Sequence, residues 1–315
     1  MTWSVEVRRA PDPGRLAADV REGLTKTPVE IPPKWFYDEK GSQLFDDITE
    51  LPEYYPTRTE AAILTEHSAE LPQVGTVVEL GAGYSRKTKL LLESVQPSLF
   101  VPLDVSEEPI REAAVRITRD FPSIEVRGIV ADFEDELAPL PGADGDRMVV
   151  FLGSTIGNLT PGPRAEFLRR VFRATAPGDL FLLGADLVKD PIRLVQAYDD
   201  SAGVTAAFNK NVLHVLAREL DLDPGHLDPD DFDHVAVYND VDDRIEMRLR
   251  ARRALVVPLL GLEWRISAGE EILTETSAKF RVEGLRTELA EAGFAVVTTW
   301  TDEAADFSLT LARRI

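Results

Sequence analysis

The stretch that most constrains this chain is Val77-Val-Glu-Leu-Gly-Ala-Gly-Tyr-Ser-Arg-Lys-Thr88, where a short apolar run breaks into Gly81-Ala-Gly83 and then into helix-forming residues. That order predicts strand, turn, helix. Gly81 and Gly83 let the backbone turn sharply and approach a ligand with no Cβ in the way, and the following helix offers unpaired N–H groups. Such a turn suits a nucleotide-like ligand, although a Gly-x-Gly after a strand is in other chains only a tight turn. The dinucleotide version is G-x-G-x-x-G, and here its third glycine is replaced by Arg86, which argues against NAD or FAD.

The spacing downstream repeats the unit. Lys87 to Val95 reads as a helix, and Leu99-Phe-Val-Pro-Leu-Asp104 as a buried strand ending in an acid 21 positions after Gly83. A carboxylate there can accept both hydroxyls of a ribose; followed by Val-Ser-Glu-Glu-Pro, it can also cap a helix. Helix Glu107 to Asp120 leads into strand Ile124 to Val130, which ends in Ala131-Asp-Phe133. Asp132 can accept from an adenine amino group and Phe133 can cover the ring; the alternative is that Asp132 caps the next turn. Arg147 to Leu152 is a fourth strand with Gly153-Ser-Thr-Ile-Gly-Asn-Leu-Thr160 as its loop, Pro163 to Ala174 an amphipathic helix, and Asp179 to Gly184 a fifth strand. This alternation predicts an α/β chain with a doubly wound parallel sheet and right-handed crossovers.

The alternation then stops. Helical patterns fill about Lys189 to Leu222, and strand-like alternation follows in Val235 to Asn239, Arg244 to Arg250, Leu262 to Ser267 and Glu271 to Phe280. A helix from Glu283 to Ala292 and the runs Phe294 to Trp300 and Phe307 to Ala312 close the chain. Near the N-terminus, Arg15 to Leu24 is helical, and residues 34–60 are rich in aromatics without strand alternation: either one of Tyr54 and Tyr55 faces a pocket, or Trp35, Phe36, Tyr37 and Phe45 simply pack a lid on the core. Pro56 predicts extended backbone at Tyr54 and Tyr55. The expected organisation is a nucleotide-binding domain, 60–187 and 280–315, interrupted by an inserted α+β substrate domain that recruits the N-terminus, 8–59 and 188–279.

Composition narrows the partners. A formal charge of −20 repels phosphate backbones and anionic membranes, so neither nucleic acid nor membrane is an expected partner. The absence of cysteine excludes disulfides, thiolate metal sites and a cysteine nucleophile, and the four histidines have no ligand-like spacing, so no metal is expected. With no signal-peptide core and no apolar run near the roughly 20 residues of a membrane span, the expectation is a cytoplasmic monomer.

Glu79-Leu-Gly-Ala-Gly resembles motif I of the S-adenosylmethionine-dependent methyltransferases, so the resemblance implies a Rossmann-like class I methyltransferase sheet, completed by the final hairpin. The loop after the fourth strand lacks the Asp/Asn-Pro-Pro-aromatic tetrapeptide of many amine methyltransferases, which counts against base-amine and glutamine methylation. Longer strings are more specific. Pro32-Pro-Lys-Trp-Phe-Tyr-Asp, Leu51-Pro-Glu-Tyr-Tyr-Pro-Thr-Arg-Thr-Glu, Phe151-Leu-Gly-Ser-Thr-Ile-Gly-Asn-Leu-Thr, Ala197-Tyr-Asp-Asp, Gly203-Val-Thr-Ala-Ala-Phe-Asn, Arg244-Ile-Glu-Met and Leu273-Thr-Glu-Thr-Ser-Ala-Lys-Phe resemble the histidine Nα-methyltransferases of ergothioneine biosynthesis.

That resemblance implies transfer of three methyl groups from S-adenosylmethionine to the α-amine of free L-histidine, giving hercynine. It places the cofactor on Gly81, Lys87, Asp104, Asp132 and Phe133, to which the turn itself adds Gly83, and the substrate on Tyr54, Asn158, Tyr198, Glu275 and Ser277, with Tyr37, Phe45, Gly153, Phe208 and Met247 lining the pocket. Asn158 and Tyr198 would donate to the substrate carboxylate, Glu275 and Ser277 would pair with the imidazole, and Tyr37, Gly153 and Asn158 are the implied catalytic positions. Glu275 can instead pair with Lys279 on a strand face. Two other activities stay open: methylation of another aromatic amino acid, and a catalytically idle sensor of cofactor and amino acid.

Overall fold

The computed structural model describes residues 3–8, 13–82, 86–133, 137, 139–223 and 225–315. In chain order the first elements are β1 (Trp3–Val7), α1 (Pro13–Gly23), β2 (Val29–Glu30), α2 (Glu39–Thr49), α3 (Tyr55–Glu66), β3 (Thr76–Leu80), α4 (Arg86–Val95), β4 (Leu99–Asp104) and α5 (Glu107–Asp120). Then come β5 (Glu125–Val130), β6 (Arg147–Phe151), α6 (Pro161–Ala174), β7 (Leu180–Asp186), α7 (Pro191–Gln196) and α8 (Val204–Glu219). The last are β8 (Phe232–Asn239), β9 (Arg244–Ala251), β10 (Leu255–Leu259), β11 (Leu262–Ile266), β12 (Glu271–Ala278), α9 (Val282–Glu291), β13 (Phe294–Thr301) and β14 (Phe307–Arg314). The chain divides into two compact units, one of Met1–Pro11, Pro56–Val188 and Lys279–Ile315, the other of Asp12–Tyr55 and Lys189–Ala278.

The first unit is built on an eight-stranded sheet in the order β1-β5-β4-β3-β6-β7-β14-β13. Strands β1 to β7 in that order run parallel, while β14 is antiparallel to β7 and to β13. The apolar run Thr76–Leu80 is buried at every position, as a central parallel strand requires. The chain leaves β3 toward β4 and β5 on one side and returns to β6 on the other, so the sheet's switch point lies between β3 and β6. Open α/β sheets bind ligands at the carboxyl ends of such strands. Register brings Leu80 opposite Phe151, so the Gly81 turn and the loop beginning Leu152-Gly153 leave the sheet side by side. Phe100, Leu182 and Phe307 anchor the core on one face.

The second unit has a four-stranded sheet, β2-β12-β9-β8, and a separate β10-β11 hairpin. Its core gathers Phe36, Phe208, Phe232, Leu249 and Trp264.

One local expectation is corrected, and two strands are added. Tyr55 opens α3 instead of lying extended, because Pro56 falls in the first helical turn, where a missing N–H breaks no intrahelical bond. Leu255–Leu259 is a strand paired with β11 through a turn in which Leu260 and Gly261 both have positive φ, 55° and 78°. Leu-Gly is a weak hairpin signal and Pro258 interrupts the strand pattern, so the pair was hidden. Trp3–Val7, too short to read as a strand by itself, pairs with β5 and forms an edge of the large sheet.

Candidate active site

At the turn after β3, Gly81 has φ +68°, and the amides of Gly81 and Ala82 both donate to the Leu103 carbonyl, at 2.8 and 3.2 Å. A Cβ on Gly81 would lie 3.9 Å from Cε1 of Phe133, whose ring is packed edge-on against Phe151 and Phe167. The turn is therefore open on a fixed aromatic face. Gly83 lies outside the described residues. Beneath the turn, Glu79 is buried with Oε1 accepting from the Thr88 hydroxyl at 3.2 Å and Oε2 without a hydrogen-bond partner. Burial pushes its carboxyl up to about 7, although the nearby Lys87 pulls the other way.

Asp104 ends β4 half-buried and accepts from the Ser106 amide at 2.9 Å. Burial pushes it up to about 6; the Ser106 and Val105 amides oppose the shift and Asp132 adds to it. The two acids thus stand near one another at the ends of β4 and β5. Asp104 also makes the turn that starts α5, so ligand and capping roles are compatible there.

At the loop after β6, the Gly153 amide donates to both oxygens of Glu60, at 3.0 and 2.9 Å, and Lys87 Nζ lies 2.5 Å from Glu60 Oε2. Gly153 and Ser154 both have positive φ, 76° and 59°, and the Ser154 hydroxyl accepts from the Asp186 amide at 2.9 Å. A strained non-glycine residue is held only when its surroundings over-determine it, and here both neighbouring groups are fixed. Asn158 is half-buried at the end of the short 3-10 turn Thr155–Asn158.

In the second unit, Tyr37, Phe45 and Phe208 form mutual ring contacts with centroids 5.5 to 5.9 Å apart, and Tyr54 lies between Phe45 and Tyr198 at 6.3 and 6.2 Å. Five of the expected substrate residues are therefore one aromatic cluster. Glu275 pairs across the ladder with Met247, just past a bulge between Leu273 and Glu275. Glu275 and Ser277, two apart, share a face of β12. The bulge residue Thr274 donates to Asn209 Oδ1 at 2.6 Å, with the Met247 carbonyl at 2.9 Å. Asn209 in turn donates to His234 Nδ1 at 2.8 Å, which leaves His234 Nε2–H to donate to the Tyr198 carbonyl, also at 2.8 Å. The chain Thr274–Asn209–His234–Tyr198 ties the strand carrying Glu275 to the backbone of Tyr198. Lys279, offered above as a partner for Glu275, is buried 2.9 Å from Asp186.

A family model described as histidine-specific methyltransferase, SAM-dependent, matches residues 16–314. The chain belongs to this family. It is 54% identical over 308 residues to the histidine N-alpha-methyltransferase of Mycolicibacterium smegmatis, with 95% of each chain covered. It is 51% identical over 325 residues to the protein of that name from Mycobacterium tuberculosis, with both chains fully covered. Ergothioneine biosynthesis protein 1 of Neurospora crassa is 30% identical over 285 residues, 87% of this chain but 32% of that longer protein.

As a histidine-specific methyltransferase family member, the chain is an S-adenosylmethionine-dependent enzyme, and the first unit suits that cofactor. The Gly81 turn facing Phe133 and the carboxyl of Asp104 offer an aromatic cover and a hydroxyl acceptor. Sequence reasoning missed Glu60, Asn209, His234 and Thr274. Only Glu60 left a trace. Gly184 sits mid-strand in β7 because a Cβ there would overlap the Glu60 carboxylate, and a glycine inside a strand signals such a close approach.

Proposed function

We propose that this chain transfers three methyl groups from S-adenosylmethionine to the α-amine of free L-histidine, giving hercynine, the first step of ergothioneine biosynthesis, and that it does so as a cytoplasmic monomer. The observation that carries the choice of substrate is the polar pair Glu275 and Ser277 on one strand face, with Ser277 hydrogen-bonded to Tyr198 beside the Tyr54 and Phe45 rings. A carboxylate and a hydroxyl suit the two nitrogens of an imidazole, where a phenyl ring would leave both unpaired. The relatives named as histidine N-alpha-methyltransferases support the same reading.

Bound S-adenosylmethionine supplies an electrophilic methyl on a sulfonium. The side chains prepare the nucleophile. Within the second unit, Tyr198 donates to the substrate carboxylate, Tyr54 meets the other ring edge and the Phe45 ring faces the amine. The ammonium loses its proton to water with the help of Tyr37, which leaves the amine lone pair free for the methyl that the bound cofactor would supply. Acceptors and aromatic faces hold each methylated amine, and the final quaternary cation is still held by the rings. Incubation with labelled S-adenosylmethionine and a mixture of free amino acids, followed by mass spectrometry over time, tests this. Histidine alone should gain three methyl groups; a persistent stop at one, or methylation on the imidazole, overturns it.

A further inference from the structure

Glu60 is the centre of a tightly built polar group in the first unit. Its side chain is fully buried, and its oxygens take the Lys87 ammonium and the Gly153 amide together. The Leu152–Gly153 peptide is held at its other end as well, since the Thr155 hydroxyl donates to the Leu152 carbonyl at 2.9 Å. The strand beside it gives way to the carboxylate at Gly184. A buried carboxylate is tolerated only when paired and hydrogen-bonded, and Glu60 has both kinds of partner.

We propose that Glu60 is a positioning residue: it fixes the Lys87 ammonium and the Gly153 peptide as one unit, so that both meet the cofactor in a single geometry. The proposal rests on assigning Lys87 to the cofactor and Gly153 to the point of methyl transfer beside it, and not on which amino acid is methylated. Lys87 has three N–H donors, of which Glu60 takes one, and the remaining two are aimed by that bond. Without it, a flexible four-carbon stem carries a compact charge whose position nothing fixes. Gly153 has positive φ and follows the strand that flanks the switch point, so its peptide turns freely unless its amide is tied.

Calorimetric titration with S-adenosylhomocysteine tests this without any methyl acceptor, so its failure is separate from failure of the histidine assignment. Glu60→Gln and Lys87→Met should each weaken binding about tenfold, and the double variant should bind no worse than the poorer single one, because both act through one bond. In protein labelled with 15N-glycine, the Gly153 amide proton should move upfield in Glu60→Gln as its carboxylate acceptor is lost. Wild-type affinity in Glu60→Gln, losses that multiply in the double variant, or an unmoved Gly153 resonance overturns the proposal. If Glu60→Gln does not fold, Glu60→Asp keeps the charge but falls one methylene short. It should also lose several-fold in affinity by the same geometric argument, and unchanged binding overturns the proposal equally.

Discussion

Tyr198 Oη lies 2.8 Å from Ser277 Oγ, a hydroxyl pair that joins two positions 79 residues apart in sequence. Because Ser277 shares its strand face with Glu275, the bond sets Tyr198 beside the proposed imidazole contacts. Ser277→Ala should raise the KM for histidine by roughly fivefold, as expected for about 1 kcal/mol of one hydrogen bond. Glu275→Ala should raise it roughly ten- to a hundredfold, since a charged acceptor is lost. Both variants should bind S-adenosylhomocysteine like the wild type. Unchanged histidine kinetics in Glu275→Ala would make that carboxylate structural.

Asp104 sets ligand affinity against stability. Its folded pKa, about 6, is above the ordinary value of 3.8, so the protonated form is the one the fold favours. That stabilisation is complete below about pH 4 and is lost as pH rises through 6. Asp104→Asn keeps the shape without the charge, so the empty variant should melt higher than the wild type at pH 7.5. It should bind S-adenosylhomocysteine roughly ten- to a hundredfold more weakly, having lost a charged acceptor for the ribose hydroxyls. Equal affinity with an intact fold would remove Asp104 from the cofactor site.

His234 has the opposite sign. Burial lowers its pKa from 6.5, against the raising influence of the Tyr198 carbonyl, Asp199 and Asp200; Lys210 adds to the lowering. Neutral His234 accepts from Asn209 at Nδ1, and a proton there would set two donors face to face. A lowered histidine pKa stabilises the fold above about 6.5, and that contribution is lost as pH falls through the folded value. Melting temperature should therefore drop between pH 6.5 and 5 in the wild type and drop less in His234→Gln. Parallel curves for the two proteins would refute the assignment.

The Asp186–Lys279 pair has no exposed side-chain surface on either partner. Lys279→Met strands a buried carboxylate, and breaking such a pair costs about 3–5 kcal/mol. Urea unfolding should show a clearly lower midpoint for Lys279→Met and partial recovery in Asp186→Leu/Lys279→Met, where both members of the pair are gone. Because the Asp186 amide also donates to Ser154, the single variant should lose activity as well.

The amino-acid order alone determined the parallel sheet, because buried strands and amphipathic helices alternate with local periods that need no partner to be read. It also pointed to Asp104 and Phe133, since strand ends are where open sheets bind ligands. What it did not determine were the polar groups behind the site. Glu60, Lys87 and Gly153 are far apart in sequence, as are Thr274, Asn209, His234 and Tyr198, and no spacing rule connects them. Hydrogen bonds of that kind depend on strand register and helix packing, which tertiary structure alone decides. The same holds for Trp3–Val7, whose alternation is too short to mean a strand until β5 offers an unpaired edge. Local pattern thus settled the strands and helices of the parallel sheet's core, and packing settled which edges pair and which buried charges and donors meet, because leaving one unpaired in the interior costs more than any local preference supplies.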